Sequence, residues 1–133
     1  FQETDQNAAN KVCEAMAAER QPILCVSRQG LASQLAGQEE TDLDKIILAC
    51  TADEADAREV ARSAAAAADD ARYFARLSGG RPLFFGGGVN SGNVAGLIAL
   101  PEIAGVMVAG GCLDPDNFVR LLQNADRALA QKA

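Results

Sequence analysis

Two glycine-rich triplets carry the chemistry this sequence can offer. Gly86-Gly87-Gly88 follows the apolar run Leu83 to Phe85, and Ala109-Gly110-Gly111 follows the run Val106 to Val108. Residues with little or no side chain let backbone N–H groups come close to a ligand. Each triplet also precedes a segment of helical spacing, and the start of a helix favours negative charge. The chemistry implied is anion binding, above all of a small phosphorylated ligand, by amides rather than basic side chains. One Gly-Gly pair after a strand is commonly just a tight turn. Two such loops on consecutive strands make a cradle.

Other chemistries find few residues. The 133-residue chain has no histidine, and its four cysteines (Cys13, Cys25, Cys50 and Cys112) lie far apart without a CxxC pair. No metal site and no cofactor is expected from that set. Cys25 and Cys50 sit inside apolar runs, where a cysteine serves as a small buried hydrophobe. Thiols of this kind suit a reducing compartment, so an intracellular location is expected, the cytoplasm first, with an organelle left open. Twelve basic against eighteen acidic residues leave a net charge of −6 and no basic stripe, which argues against nucleic acid as a partner. No apolar run reaches the ~18 residues of a membrane span, and no membrane partner is expected.

The elements that must hold the triplets alternate in period. Thr4 or Asp5 caps a helix that carries Ala8, Val12, Ala15 and Met16 on one face and runs towards Arg20. Ile23 to Val26 and Ile46 to Cys50 are short apolar runs with polar borders and read as buried strands. Gly30 to Ala36 is at most a short helix, stopped by Gly37. From Ala52 to Leu77, the residues Val60, Ala64, Ala67, Ala71 and Phe74 recur at helical spacing, with Glu54–Arg58 and Asp69–Arg72 as pairs on the other face. Leu83 to Phe85 and Val106 to Val108 supply two more strands. A helix with Val94, Leu97 and Ile98 stops before Pro101. The last helix takes Asp114 as its cap and Pro115 as its first residue, and is expected to bury Phe118, Leu121, Leu122, Ala125 and Leu129. The order is one helix and then strand–helix repeated to the end. It predicts an α/β fold of four parallel strands covered by helices, in a single domain over residues 1–133. In such sheets ligands sit at the carboxyl ends of strands, where both triplets fall.

The stretch LFFGGGVNSGNVAGLIALPEIAGVMVAGGCLDPDNFVRLL closely resembles the C-terminal part of the triosephosphate isomerase family. That family carries G-G-S-V-N after its seventh strand and D-G-x-L-V-G-G-A-S-L around its eighth. KVCEAMAAERQPILCV is similar to its fourth helix and fifth strand, and FQETD to the residues that follow its catalytic histidine and glutamate segment. The resemblance covers essentially the whole chain. It implies half of a (β/α)8 TIM barrel, an isomerase-like protein related to glycolysis, and a phosphate held by the N–H groups of Gly88, Ala109 and Gly110. Ala109 stands where the family has its first glycine and Gly88 where it has serine; both changes spare the backbone donor.

The departures bear on catalysis. The family's lysine and histidine belong to the half of the barrel outside this stretch. Its glutamate base follows the sixth strand in E-P-V-W-A-I-G-T-G, where the text here is ILACTADEADAR, with Thr51 at the base position. A threonine hydroxyl cannot take a proton from carbon at neutral pH. Glu54, three residues on, is expected in a first helical turn, where acids suit the dipole. The lid built from the same motif is gone, and the connection from Ser27 to Asp44 is shortened. No catalytic residue is therefore assigned. The expectation is a degenerate active site that keeps its phosphate-binding loops, Gly86 to Gly88 and Ala109 to Gly111. The alternatives are a non-catalytic subunit of a larger assembly, or half of a split aldose–ketose isomerase completed by another chain. Four strands cannot close a barrel, so a second copy, a complementary half or a larger complex is expected as partner.

Overall fold

Thr4 starts the first helix through its side chain: Oγ1 accepts the Asn7 N–H at 3.3 Å, and α1 covers Asp5–Ala17. In a computed structural model, which describes residues 3–36, 38, 44–51 and 64–133, strands and helices then alternate. They are β1 (Ile23–Val26), α2 (Leu31–Ala36), β2 (Ile47–Thr51), α3 (Ala64–Leu77), β3 (Leu83–Gly86), α4 (Val94–Ile98) and β4 (Gly105–Met107). A 3-10 turn (Gly110–Cys112) and α5 (Pro115–Lys132) complete the chain. The strands lie side by side in chain order, and every pairing is parallel. This is the predicted α/β architecture, four parallel strands alternating with helices, consistent with half of a TIM barrel.

One face of the sheet makes the core. Leu24, Val26, Leu48, Cys50, Leu83 and Phe85 are all buried and share a cluster with Leu31, Phe74, Leu97 and Leu121 from the helices. In α3 the alanine stripe behaves as its spacing predicts: Ala67 and Ala71 are fully buried and Phe74 nearly so. The Asp69–Arg72 pair also forms, at 3.3 Å. The first part of the long predicted helix, with Glu54, Arg58 and Val60, lies outside the described residues, as do Gly37 and the first two residues of the chain.

Two burial expectations are corrected. Cys50 is buried, but Cys25 is exposed. Strand side chains alternate, and Cys25 lies with Ile23 on the face opposite Leu24 and Val26. Ile23 is 52% exposed there. On α5, Leu121 and Ala128 are buried while Leu122 and Leu129 are about half exposed, as is Val119. The helix buries a narrower stripe than its sequence offers. Leu122 and Leu129 sit one position on from that stripe, and with Val119 they form a second apolar row facing outward. Asp114 caps α5 as expected, accepting from Asp116 N–H at 3.0 Å and Asn117 N–H at 3.5 Å. Such a cap contributes about 1 kcal/mol.

Candidate functional site

The strand register brings the two glycine loops together. Gly86 pairs with Met107 across β3 and β4, and with Thr51 across β2 and β3. Both triplets therefore leave the sheet at the same end, on neighbouring strands, with Thr51 at the end of β2 beside them. Among the six positions, Gly88, Ala109 and Gly110 are exposed, Gly87 and Gly111 half-buried, and Gly86 buried.

The glycines of the first triplet differ in what holds them. A Cβ on Gly86 would lie 2.9 Å from the terminal methyl of Met107. Gly87 and Gly88 have φ of +102° and +63°, a backbone conformation that L side chains rarely adopt. In the second triplet, a Cβ on Gly111 would lie 2.8 Å from the Val89 carbonyl oxygen, so the two loops touch backbone to backbone. Gly110 is different. A Cβ there would meet nothing within 4 Å, and its φ is not positive.

Asparagines, which the sequence reading passed over, brace both loops. The Gly88 carbonyl accepts Asn93 Nδ2 at 2.9 Å and Asn90 Nδ2 at 3.3 Å. Asn90 Oδ1 accepts the N–H groups of Gly92 and Asn93, at 2.8 and 3.2 Å, which is the turn asparagine favours. In the second loop the Ala109 carbonyl accepts the Cys112 N–H at 3.1 Å and the Cys112 thiol at 2.8 Å. The Gly110 carbonyl accepts the Leu113 N–H at 3.3 Å, and the Gly111 carbonyl accepts Asn117 Nδ2 at 2.9 Å. The carbonyls that would repel an anion are thus held by donors of the protein. Among the described residues no peptide bond is cis, and in a planar trans peptide the next N–H points away from the carbonyl. The N–H groups of Gly110 and Gly111 therefore point opposite to these restrained oxygens. The signal for this bracing was present in V-N-S-G-N and D-P-D-N, since asparagine is a turn residue with both a donor and an acceptor.

The helix contribution expected from the sequence is absent in this form. α4 has just five residues, and Asn93, its cap position, makes no side-chain cap bond. The start of α5 is already served by the Asp114 carboxylate. What the site offers an anion is loop amides. Among the described residues, the arginine nearest the carboxyl end of a strand is Arg28, two residues past β1, which is held by Asp70 at 2.7 Å and stacks on Tyr73 at 4.4 Å. Glu54 lies outside the described residues. Among the described residues there is no cluster of three or more potential metal ligands, and no helix is long and apolar enough to cross a membrane. A groove between α4 and α5, with Ala95, Ala99, Asn124 and Lys132 in its wall, belongs to the helical layer rather than the strand ends. Lys132 is committed there to the carbonyls of Leu100 and Ile103, both at 2.7 Å.

Comparison with known proteins gives this arrangement its kinship. The family model for triosephosphate isomerase matches residues 44–125, which include both loops and more than half of the chain. The chain belongs to the triosephosphate isomerase family. It is 31% identical over 140 residues to the triosephosphate isomerase of Synechococcus sp. (strain JA-2-3B'a(2-13)), covering 92% of this chain and 54% of that protein. Against the Prochlorococcus marinus triosephosphate isomerase the identity is 30% over 135 residues, covering 91% and 56%. A shorter match, 46% over 43 residues, links 32% of the chain to 17% of the Streptomyces coelicolor triosephosphate isomerase. The chain spans about half the length of the curated relatives that it matches along most of its own length.

Proposed function

We propose that this chain is a triosephosphate-isomerase-like half barrel that binds a small phosphate ester at its paired glycine loops and does not catalyse isomerisation on its own. The observation that carries the reading is Gly110. A positive φ accounts for Gly87 and Gly88 and backbone packing for Gly111, whereas Gly110 opens onto free space at an exposed loop whose carbonyls are engaged elsewhere. Close approach of a ligand is a reason for a bare backbone there. Gly88, Ala109 and Gly110 are the donors by family resemblance, and the peptide geometry adds Gly111. Without the family's lysine or its lid, the expected dissociation constant is on the order of millimolar, or about −4 kcal/mol.

Absence of turnover follows from chemistry at the ends of the strands. Thr51 occupies the base position and the sequence has no histidine. The base and lid motifs fall within the region this chain covers, so a partner bringing the other half of a barrel would not restore them. No isomerisation of glyceraldehyde 3-phosphate is expected above background in a coupled assay. Turnover that vanishes in Glu54→Gln would defeat this and make Glu54 the base.

A second reading, a subunit of an assembly, is favoured by the outward apolar row Val119, Leu122 and Leu129 and by the exposed Ile23 on the opposite side of the sheet from the core. Among the described residues β1 and β4 are the edges of an open parallel sheet, and such edges need cover. The partner is a second copy, a complementary half barrel or a larger complex. Light scattering on the purified chain is expected to give a mass above that of the 13.8 kDa monomer. A monomer with one sharp unfolding transition would count against it.

A further inference from the structure

The side chains between the two loops form one connected path. Asn117, in the first turn of α5, donates Nδ2 to the Gly111 carbonyl of the second loop at 2.9 Å. Its Oδ1 accepts the Ser91 hydroxyl of the first loop at 2.8 Å. Further along the helix, Asn124 donates Nδ2 to the Ser91 carbonyl at 2.8 Å. Asn117 and Asn124 lie two helical turns apart, and so share a face with Leu121 and Ala128, the buried residues of α5. The helix that closes the core therefore also grips both loops.

The pair of constraints is what fixes the gap. Gly111 against the Val89 carbonyl sets the closest approach of the loops. The Ser91–Asn117–Gly111 path limits how far they can part. A primary amide suits this position because one small planar group offers an acceptor and a donor. Alanine would lose both bonds, and aspartate would keep the acceptor but lose the donor.

We propose that Asn117 is a positioning residue: it locks the two glycine loops at a fixed separation, so that their amides serve one anion rather than two unrelated turns. The ligand part rests on the phosphate reading above, while the coupling itself is measurable without ligand. Amide NMR spectra of the full chain test the coupling. Ser91→Ala, which removes a single hydroxyl, is expected to shift the Gly110 and Gly111 amides although it lies in the other loop. In an Asn117→Ala background the same change is expected to leave them in place. Should the alanine variant not fold, Asn117→Asp supplies the comparison, since it retains the bond from Ser91 and loses only the donor to Gly111. Simple addition of the two sets of shifts would overturn the proposal, because independent sites add and coupled ones do not.

Titration with phosphoglycolate then reads the consequence. Ser91→Ala and Asn117→Ala are each expected to weaken binding about tenfold, and the double variant no further than either. Unchanged affinity in the single variants would remove the positioning role. If the unsubstituted chain itself binds nothing, the phosphate reading fails, and the amide shifts still decide whether Asn117 links the loops.

Discussion

Replacing Phe85 with alanine is expected to remove about 3–5 kcal/mol of stability, a large share of the roughly 5–15 kcal/mol of a domain of ordinary stability. Phe85 is 2% exposed at the centre of the sheet, paired with Cys50 of β2 on one side and Val106 of β4 on the other. Its ring reaches the layer where β3 meets the helices, so its loss removes apolar burial and leaves a cavity that fixed strands cannot close. Leu129→Ala is the matched control. Leu129 is about half exposed in the outward row of α5, so in a monomer its truncation should stay within about 0.5 kcal/mol. Urea denaturation followed by circular dichroism measures both. A Phe85→Ala loss below about 1 kcal/mol would mean that the strand is not central to the core. A large loss for Leu129→Ala would instead mark the outward row as covered in solution.

That contrast also marks what the sequence made legible. Periodicity sufficed for the strands, because four short apolar runs between helical stretches have few other ways to be buried. It sufficed for α3, where Ala67, Ala71 and Phe74 point where their spacing says. It failed at Cys25, since a continuous apolar run does not reveal which of its two faces is covered. It failed again at Leu122 and Leu129, because an amphipathic pattern announces how much a helix would bury and not how much its neighbours supply.

The candidate site divides in the same way. The glycine triplets stood out by composition, and the register of β3 and β4 does bring them together. The asparagine bracing did not stand out, because hydrogen bonds such as Ser91 to Asn117 join residues 26 positions apart. The helix starts were over-read. The helix that Pro101 was expected to stop has five residues, Val94–Ile98, too few to gather much of a dipole, and a good capping residue at Asp114 is itself a negative charge where an anion was to sit.

Adjacent glycines in the second loop give the sharpest test of what the cradle is for. Gly110→Asp is expected to abolish phosphate-ester binding without unfolding the protein. Its Cβ points into open space, so the substitution costs little stability, within about 0.5 kcal/mol. The new carboxylate stands against a dianion, and like charges about 4 Å apart repel by roughly 1 kcal/mol even in bulk water and more beside protein. Against two charges the repulsion doubles, and from a millimolar starting point a loss of about a hundredfold puts binding beyond detection. Gly110→Asn, of the same size and uncharged, separates charge from bulk and should lose less. Gly111→Ala fails for a different reason. Its Cβ would lie 2.8 Å from the Val89 carbonyl and 3.1 Å from Val108 Cγ1, so the loops must part. It is expected to cost about 1–3 kcal/mol of stability along with the affinity. Phosphoglycolate titrations and thermal melts on the three variants resolve the two effects. If Gly110→Asp binds as well as the unsubstituted chain, the amides of this loop do not face the ligand, and Gly110 is no more than a turn residue.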